Sequence, residues 1–428
     1  MFRVRFVVLV VVAVVAAIAA AEESTFPTAP RAIDVIVTDN RGNRVANLAE
    51  SDFQIYEDGQ TRSIAKFAAL TNTGQEAFDA QPRRSIVVII DEVSISLPAR
   101  RTIVAALRSF VDTRVRPIDR MMIVTIAGIG GVFPATSWTS NKEDLLKALD
   151  KAESASIGNK SFERMEAERN ITMTIAYARQ AEADQPGTQI PMTFDTLMQS
   201  GRQYAGIMQQ EARATVSAIN DALSFLGSGP GKKVAIIAGG GLSTRPGADM
   251  FQYLEDLRQQ ALLGNLGTSL SRGAATANPY SEGSRFEITD VVRDVSRSAH
   301  DRGIIVYTLD PDTTGNSISS VERTTATNNT EEFIGVADRL SGYQLLSNLT
   351  GGLTLTSRGP ITEIASDLDT HYVLGYQQSL TAKGTLPKVD VKVTKPGYRV
   401  RSAFTGGPET KEAAIQDTVI ANQASGAV

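Results

Sequence analysis

The chain has 428 residues, 42% of them hydrophobic, with 43 Lys and Arg against 47 Asp and Glu and a formal net charge of −4 at pH 7. That length suits two or three domains, and mild acidity without a basic patch argues against nucleic acid or an anionic membrane surface as partner. Cysteine is absent, which excludes disulfides, thiolate metal sites and a thiol nucleophile.

Arg3 and Arg5, the apolar run Phe6 to Ile18 and Ala19-Ala20-Ala21 before Glu22 read as a signal peptide over residues 1–21. The run is short for a membrane span, which needs about 20 apolar residues. The expected product is exported, periplasmic or extracellular, starts at Glu22 and has no membrane span after cleavage. A linker (22–30) leads into strands over 31–70. Ile33, Val35 and Val37 alternate, and Glu57-Asp58-Gly59 marks a tight hairpin between Phe53 to Ile55 and Ile64 to Phe67. About 40 residues of strand and turn cannot close a core alone, so a partner sheet is expected elsewhere.

Residues 84–358 follow an α/β pattern. Four apolar runs, Ile86 to Ile90, Met121 to Ala127, Val234 to Ala238 and Ile304 to Leu309, alternate with helical periods at Ile103/Leu107/Phe110, Leu145/Leu149, Ile219/Leu223/Leu226 and Val291/Val292/Val295. Such alternation gives a mainly parallel sheet with right-handed crossovers. Gly131 to Ser137 fits an antiparallel edge strand and Leu353 to Thr356 a last one. A helical insertion is expected over 155–215, and Gly- and Ser-rich composition predicts mobile loops at 264–285 and 312–330. Strands resume over 371–405, and these are expected to complete one β-sandwich with 31–70, the α/β domain lying between them in sequence. The tail, 406–428, is expected to be disordered.

Ile86 to Ile90 suits a strand buried on both faces, and it ends in a polar cluster: Asp91, Glu92, Ser94 and Ser96. Ligand sites of open α/β sheets form at the carboxyl ends of strands. Enzyme readings find little support. The two carboxylates stand where a dinucleotide fold places glycines and would repel a phosphate. Gly227 to Lys233 fails the phosphate-loop spacing and reads as a helix-ending turn. Only His300 and His371 could serve a triad; the first reads as a helix end where an imidazole meets the dipole, the second as a surface residue at a strand start. Asp310 and Asp312 read as a turn around Pro311, and Trp138 with Met165, Met173, Met192, Met198 and Met208 as core filling. No catalytic residue is assigned.

The order of Asp91 to Ser96, Pro230-Gly-Lys-Lys-Val-Ala-Ile-Ile-Ala-Gly-Gly, Tyr307-Thr-Leu-Asp-Pro311, Leu349-Thr-Gly-Gly352 and His371-Tyr-Val-Leu-Gly-Tyr376 resembles a von Willebrand factor A domain. More closely it resembles the bacterial, acidobacterial-type VWFA-related proteins, in which a strand segment with a Glu-Asp-Gly hairpin precedes that domain. The resemblance covers roughly residues 30–405. It implies a doubly wound six-stranded sheet in the order 3-2-1-4-5-6 and a metal-ion-dependent adhesion site for Mg²⁺ or Mn²⁺. Asp91 matches the site's first ligand. The two serine positions hold Val93 and Ile95, with Ser94 and Ser96 displaced by one, so they ligate only if the loop bulges. Gly239 stands where the fourth-strand Asp belongs, and Thr215 is the one candidate for the threonine. The expectation is therefore a non-enzymatic interaction or adhesion module with a degenerate metal site. Its docking rim for an unidentified extracytoplasmic protein would be Asp91, Glu92, Ser94, Ser96, Gly239, Gly240, Gly241, Ser243 and Thr244. A metal-dependent ligand binder or enzyme, and a structural spacer of an envelope assembly, are the alternatives.

Overall fold

A computed structural model describes residues 28–71, 84–128, 130–155, 162–184, 193–227, 231–263, 271–310, 329–356, 360–379 and 388–405. The leader, most of the 22–30 linker, nearly all of the 312–330 loop and the tail lie outside them. The described chain is a mixed α/β molecule with three sheets.

The central sheet has six strands: β5 (Arg84–Asp91), β6 (Arg120–Ala127), β7 (Gly131–Pro134), β8 (Lys232–Ala238), β9 (Ile304–Leu309) and β10 (Thr354–Leu355). Their order is β10-β9-β8-β5-β6-β7. All neighbours are parallel except β6 with β7, where Val124 faces Pro134 and Ala127 faces Gly131. β5 and β8 are buried at every position, because helices cover both faces. One face packs on α1 (Leu97–Arg114), α2 (Lys142–Ser154) and α9 (Pro360–Asp369). The other packs on α4 (Phe194–Ser224), α7 (Thr289–Asp301) and α8 (Asn329–Leu349). Apolar residues at 3.6-residue spacing give each helix its buried stripe.

The inserted helices do not stand free. α3 (Phe162–Asp184), the N-terminal half of α4 and α5 (Ala248–Leu262) share a separate core of Ile171, Ile175, Phe194, Leu197, Tyr204, Phe251 and Leu254. α4 precedes β8 and so runs against it. Its 31 residues span about 46 Å at 1.5 Å per residue, roughly twice the length of the strand. The last turns pack on the sheet through Val216, Ile219 and Leu223, so the first turns reach past the carboxyl ends of the strands. The insertion is a cap beside that edge. Of the loop expected to be mobile, 264–285, residues 264–270 lie outside the described residues; 271–285 instead form a turn, the short helix α6 (Pro279–Gly283) and the start of a 3-10 turn, with Ala274 fully buried in the cap core. Composition misleads here because glycine serves packing: Gly273 sits at φ +87° with an added Cβ 2.9 Å from Asp195 Oδ2.

The terminal β regions share sheets and one core. The four-stranded sheet runs β13-β1-β11-β4, built from β1 (Thr28–Thr38), β4 (Lys66–Thr71), β11 (Thr370–Ser379) and β13 (Arg399–Thr405). The other runs β12-β2-β3, from β2 (Phe53–Glu57), β3 (Gln60–Arg62) and β12 (Val389–Val393). Asp58 and Gly59, both at positive φ, turn the β2–β3 hairpin. Ile33, Val35, Phe53, Ile55, Tyr372, Leu374 and Val391 fill the space between the sheets. β1 starts inside the expected linker and carries Pro30; among the described residues β13 pairs from Ala32 onward, so there Pro30 has a neighbour, in β11, on one side alone.

This sandwich sits at the amino ends of the central strands. Lys232, first in β8, pairs with Asp34 of β1 at 3.1 Å, both side chains buried. Asp367 of α9, fully buried, accepts from Arg44 and Arg401 of the sandwich and from Tyr307 of β9. His371 lies here too, 5% exposed rather than on the surface. β11 is an inner strand of its sheet and its start is covered by the docked α/β body.

Candidate functional site

The amino ends being covered, the carboxyl ends of the strands hold the rim. Asp91 closes β5 and is 1% exposed. Its loop is a tight turn rather than an extended segment. Oδ1 accepts from the Val93 amide at 3.0 Å and the Ser94 amide at 3.3 Å, and Oδ2 from the Ser94 hydroxyl at 2.6 Å. The turn brings Ser94 back onto Asp91, while Ile95 drops into the core and Ser96 caps α1, its Oγ accepting from the Ala99 amide at 3.4 Å. Glu92 is half-buried, and Arg100 beneath it donates to the carbonyl oxygens of Glu92 and Ala155.

Across the cleft, the loop after β8 fits only because it is glycine. The Gly240 amide donates to Ser94 Oγ at 2.9 Å, and a Cβ at Gly240 would lie 2.1 Å from the Ser94 carbonyl oxygen. A Cβ at Gly239 would lie 2.3 Å from Tyr343 Oη and 3.1 Å from the Asp91 Cβ. Gly241, at φ +99°, abuts Arg339. The loop is then fastened to α8. The Leu242 amide donates to the Arg339 carbonyl at 2.7 Å, the Thr244 amide to Ser341 Oγ at 2.9 Å, and the Ser243 hydroxyl to Asp338. Asp310, 1% exposed, pairs with Arg339 at 3.2 Å; Asp312 lies outside the described residues.

Of the nine expected rim positions, Asp91 and Ser94 meet Gly239 and Gly240, while Gly241, Ser243 and Thr244 turn onto α8; the expected cation ligands do not form a set. Of the three candidates, Ser96 is spent on a helix cap and Ser94 bridges Asp91 to Gly240. Thr215 lies inside α4. Position 239 has no carboxylate, and the space beside it is filled by Tyr343. Among the described residues no group of three His, Asp or Glu could hold a metal ion. Mg²⁺ wants octahedral oxygen ligands, and this donor set does not fit it.

Burial pushes the Asp91 carboxyl above its ordinary range, opposed by the Ser94 hydroxyl and two amides. Among the described residues no basic side chain forms an ion pair with it. A raised folded pKa means a stability contribution fully present below the unfolded value and lost as pH rises through the folded one. Asp91→Asn is accordingly expected to raise the melting temperature at pH 7 by a few degrees, of order 1 kcal/mol, and to flatten the decline in stability above pH 4. An unchanged or lowered melting temperature at pH 7 would contradict the uncompensated charge.

Neither histidine serves the rim. His300 ends α7, and burial lowers its pKa, so the charged form that would meet the helix dipole is disfavoured. His371 is at the opposite end of the sheet. Sequence reasoning missed Tyr343, Arg339 and Asp338 altogether. The spacing of Arg339, Gly342 and Tyr343, which shares one helical face, was the available signal. Trp138 packs against the sheet's helical layer with the Arg120 guanidinium 4.3 Å over its ring, Met198 is buried in the cap, and Met173 is 59% exposed.

No helix among the described residues is long and apolar enough to cross a membrane. No protein-family model matches the chain, and no curated protein does. Among solved structures it is similar to an aerotolerance-related membrane protein from Bacteroides fragilis, at 11% identity and TM-score 0.27, over 67% of this chain and 97% of that one. It is similar to the pilus adhesin SpaC from Lactobacillus rhamnosus GG, at 9% and 0.31, over 87% of this chain and 49% of that one. It is also similar to three N-terminal domains of the type V pili tip protein Mfa5 from Porphyromonas gingivalis, at 9% and 0.32, over 90% and 69%. The chain thus spans about half the length of SpaC. Likenesses this distant do not bear on the site, which rests on its own geometry.

Proposed function

We propose that the chain is an exported, non-enzymatic protein-interaction module of the von Willebrand factor A type, docking a protein partner at the rim. The strand order supports the family reading: counted from β5, it runs 3-2-1-4-5-6 with the third strand antiparallel. The observation that carries the functional reading is the asymmetry of the central sheet. Its amino ends are sealed by the sandwich through Asp34–Lys232 and the Asp367 cluster. At its carboxyl ends the Asp91 turn and the Gly240 loop meet, joined through the Ser94 hydroxyl. Ser94 and Arg245 are exposed there, with Glu92 and Val93 half-exposed, a mixed polar and apolar surface suited to a protein. The leader pattern at 1–21 supports export.

The test uses the tagged full chain and the native cell-envelope fraction. Like charges placed at an interface cost several kcal/mol, and 1.4 kcal/mol is tenfold. The double variant Glu92→Lys/Arg245→Glu is expected to stay folded, with a modest fall in melting temperature because the Arg245–Asp338 pair is broken, and to lose at least about tenfold in the yield of its captured protein. Equal capture by both forms would overturn the rim as the docking surface.

A further inference from the structure

The cleft has a built-in occupant. Gly239 lacks the carboxylate that the family resemblance calls for, and the side chain nearest its missing Cβ is Tyr343, whose Oη lies 2.3 Å from where that atom would be. Ser94 Oγ and the Asp91 Cβ are the next nearest, at 3.0 and 3.1 Å. Tyr343 is fully buried, and it arrives from α8, whose Arg339, Gly342 and Tyr343 share one face against the rim. The backbones there are in direct contact: the Gly342 amide donates to the Leu242 carbonyl at 2.8 Å, and a Cβ at Gly342 would lie 2.6 Å from that oxygen. Three glycines, 239, 241 and 342, are thus needed to seat this turn of helix against the β8 loop.

We propose that the Tyr343 phenol takes the place in which a divalent cation and its fourth-strand carboxylate would sit, so that the rim is assembled by the protein's own side chains and needs no ion. Tyr343 is a positioning residue: it packs behind Asp91 and Gly239, and the Ser94 hydroxyl bridges Asp91 to Gly240 in front of it. Burial together with Asp91 and Asp310 keeps the phenol neutral, raising its pKa well above the ordinary tyrosine value, so no charge is added beside the buried carboxylate. The inference deepens the rim reading, yet its test involves no partner, so the two fail separately.

The test is a double-mutant cycle on the full chain, read by melting temperature. Gly239 does not need a positive φ, so Gly239→Ala adds no backbone strain; its severe collision is with the Tyr343 oxygen at 2.3 Å, and the Ser94 and Asp91 contacts at 3.0 and 3.1 Å are milder. It is expected to lower the melting temperature by roughly 3–8 °C. In the Tyr343→Phe background, which removes only the colliding oxygen, the same substitution is expected to cost less than half as much. If Gly239→Ala alone fails to fold, a folded double variant gives the same answer. Equal losses in both backgrounds, or a double variant no more stable than Gly239→Ala, would overturn the proposal. As a second readout, Mn²⁺ titrated into wild type and Asp91→Asn is expected to give identical traces. Binding present in wild type and lost in Asp91→Asn would mean that an ion, not the phenol, holds the cleft.

Discussion

Asp367→Asn is expected to cost about 3–5 kcal/mol, the range for breaking one partner out of a buried ion pair. Asp367 is fully buried and neutralises two guanidinium groups. Arg44 reaches Oδ1 at 2.7 Å and Arg401 reaches both oxygens at 2.7 and 2.8 Å, while the Tyr307 hydroxyl donates at 3.1 Å. Asparagine keeps the volume and removes the charge, leaving both arginines, 12% and 22% exposed, with less compensation around a position that itself sees no water. These partners come from the sandwich, α9 and the central sheet, so the loss falls on the junction between the two bodies. Urea denaturation should show the destabilisation, and a loss below about 1 kcal/mol would mean the cluster does not hold the junction. Glu363→Gln is the control: Glu363 also meets Arg44, at 2.6 Å, but its side chain is 48% exposed, and screened pairs contribute about 0–1 kcal/mol.

The second large effect is an acid limb set by His371. Burial, and then the Lys232 cation, lower its pKa from the ordinary 6.5 to about 3, against the pull of Asp34 and Asp367. The folded protein holds the imidazole neutral, whereas the unfolded chain takes up a proton near pH 6.5. The stability it contributes is therefore complete above that pH and is lost as pH falls toward 3. The loss is on the order of 4 kcal/mol at the acid end. His371→Gln, neutral throughout, should reduce the slope of unfolding free energy against pH by up to one proton across this window. A wild-type slope in the variant would place the acid sensitivity elsewhere.

The central sheet was legible because burial on both faces leaves an uninterrupted β-branched run, as at Ile86 to Ile90, and the helices were legible from their stripes. The hairpin at Asp58-Gly59 and the antiparallel edge at Gly131 were legible from turn chemistry. What escaped depends on long-range docking. His371 looks like a surface residue until the α/β body covers the start of β11. Arg44, Asp367 and Arg401 look like solvated charges, and nothing local distinguishes them from those that are. At the site, an extended loop would make the one-residue displacement point Ser94 away from Asp91. An Asp side chain can cap its own turn, and that turn returns Ser94 to Asp91 while releasing Ser96 to cap α1. Asp91 and Ser94 lie against Gly239 and Gly240, whereas Gly241 abuts Arg339. For Tyr343 the helical spacing with Arg339 and Gly342 marks a shared face, but not what that face meets, because the space the phenol fills is left by an absent side chain on another element.

A protein partner that docks as proposed touches the carboxyl edge of the sheet and not the sandwich. Photo-cross-linking side chains placed singly at Val93 and Arg245 on the rim, and at exposed Thr61 on β3, test it in native envelope extracts. Docking at the rim predicts protein adducts of one common mass from positions 93 and 245 and none from position 61. Adducts from position 61 alone would contradict it.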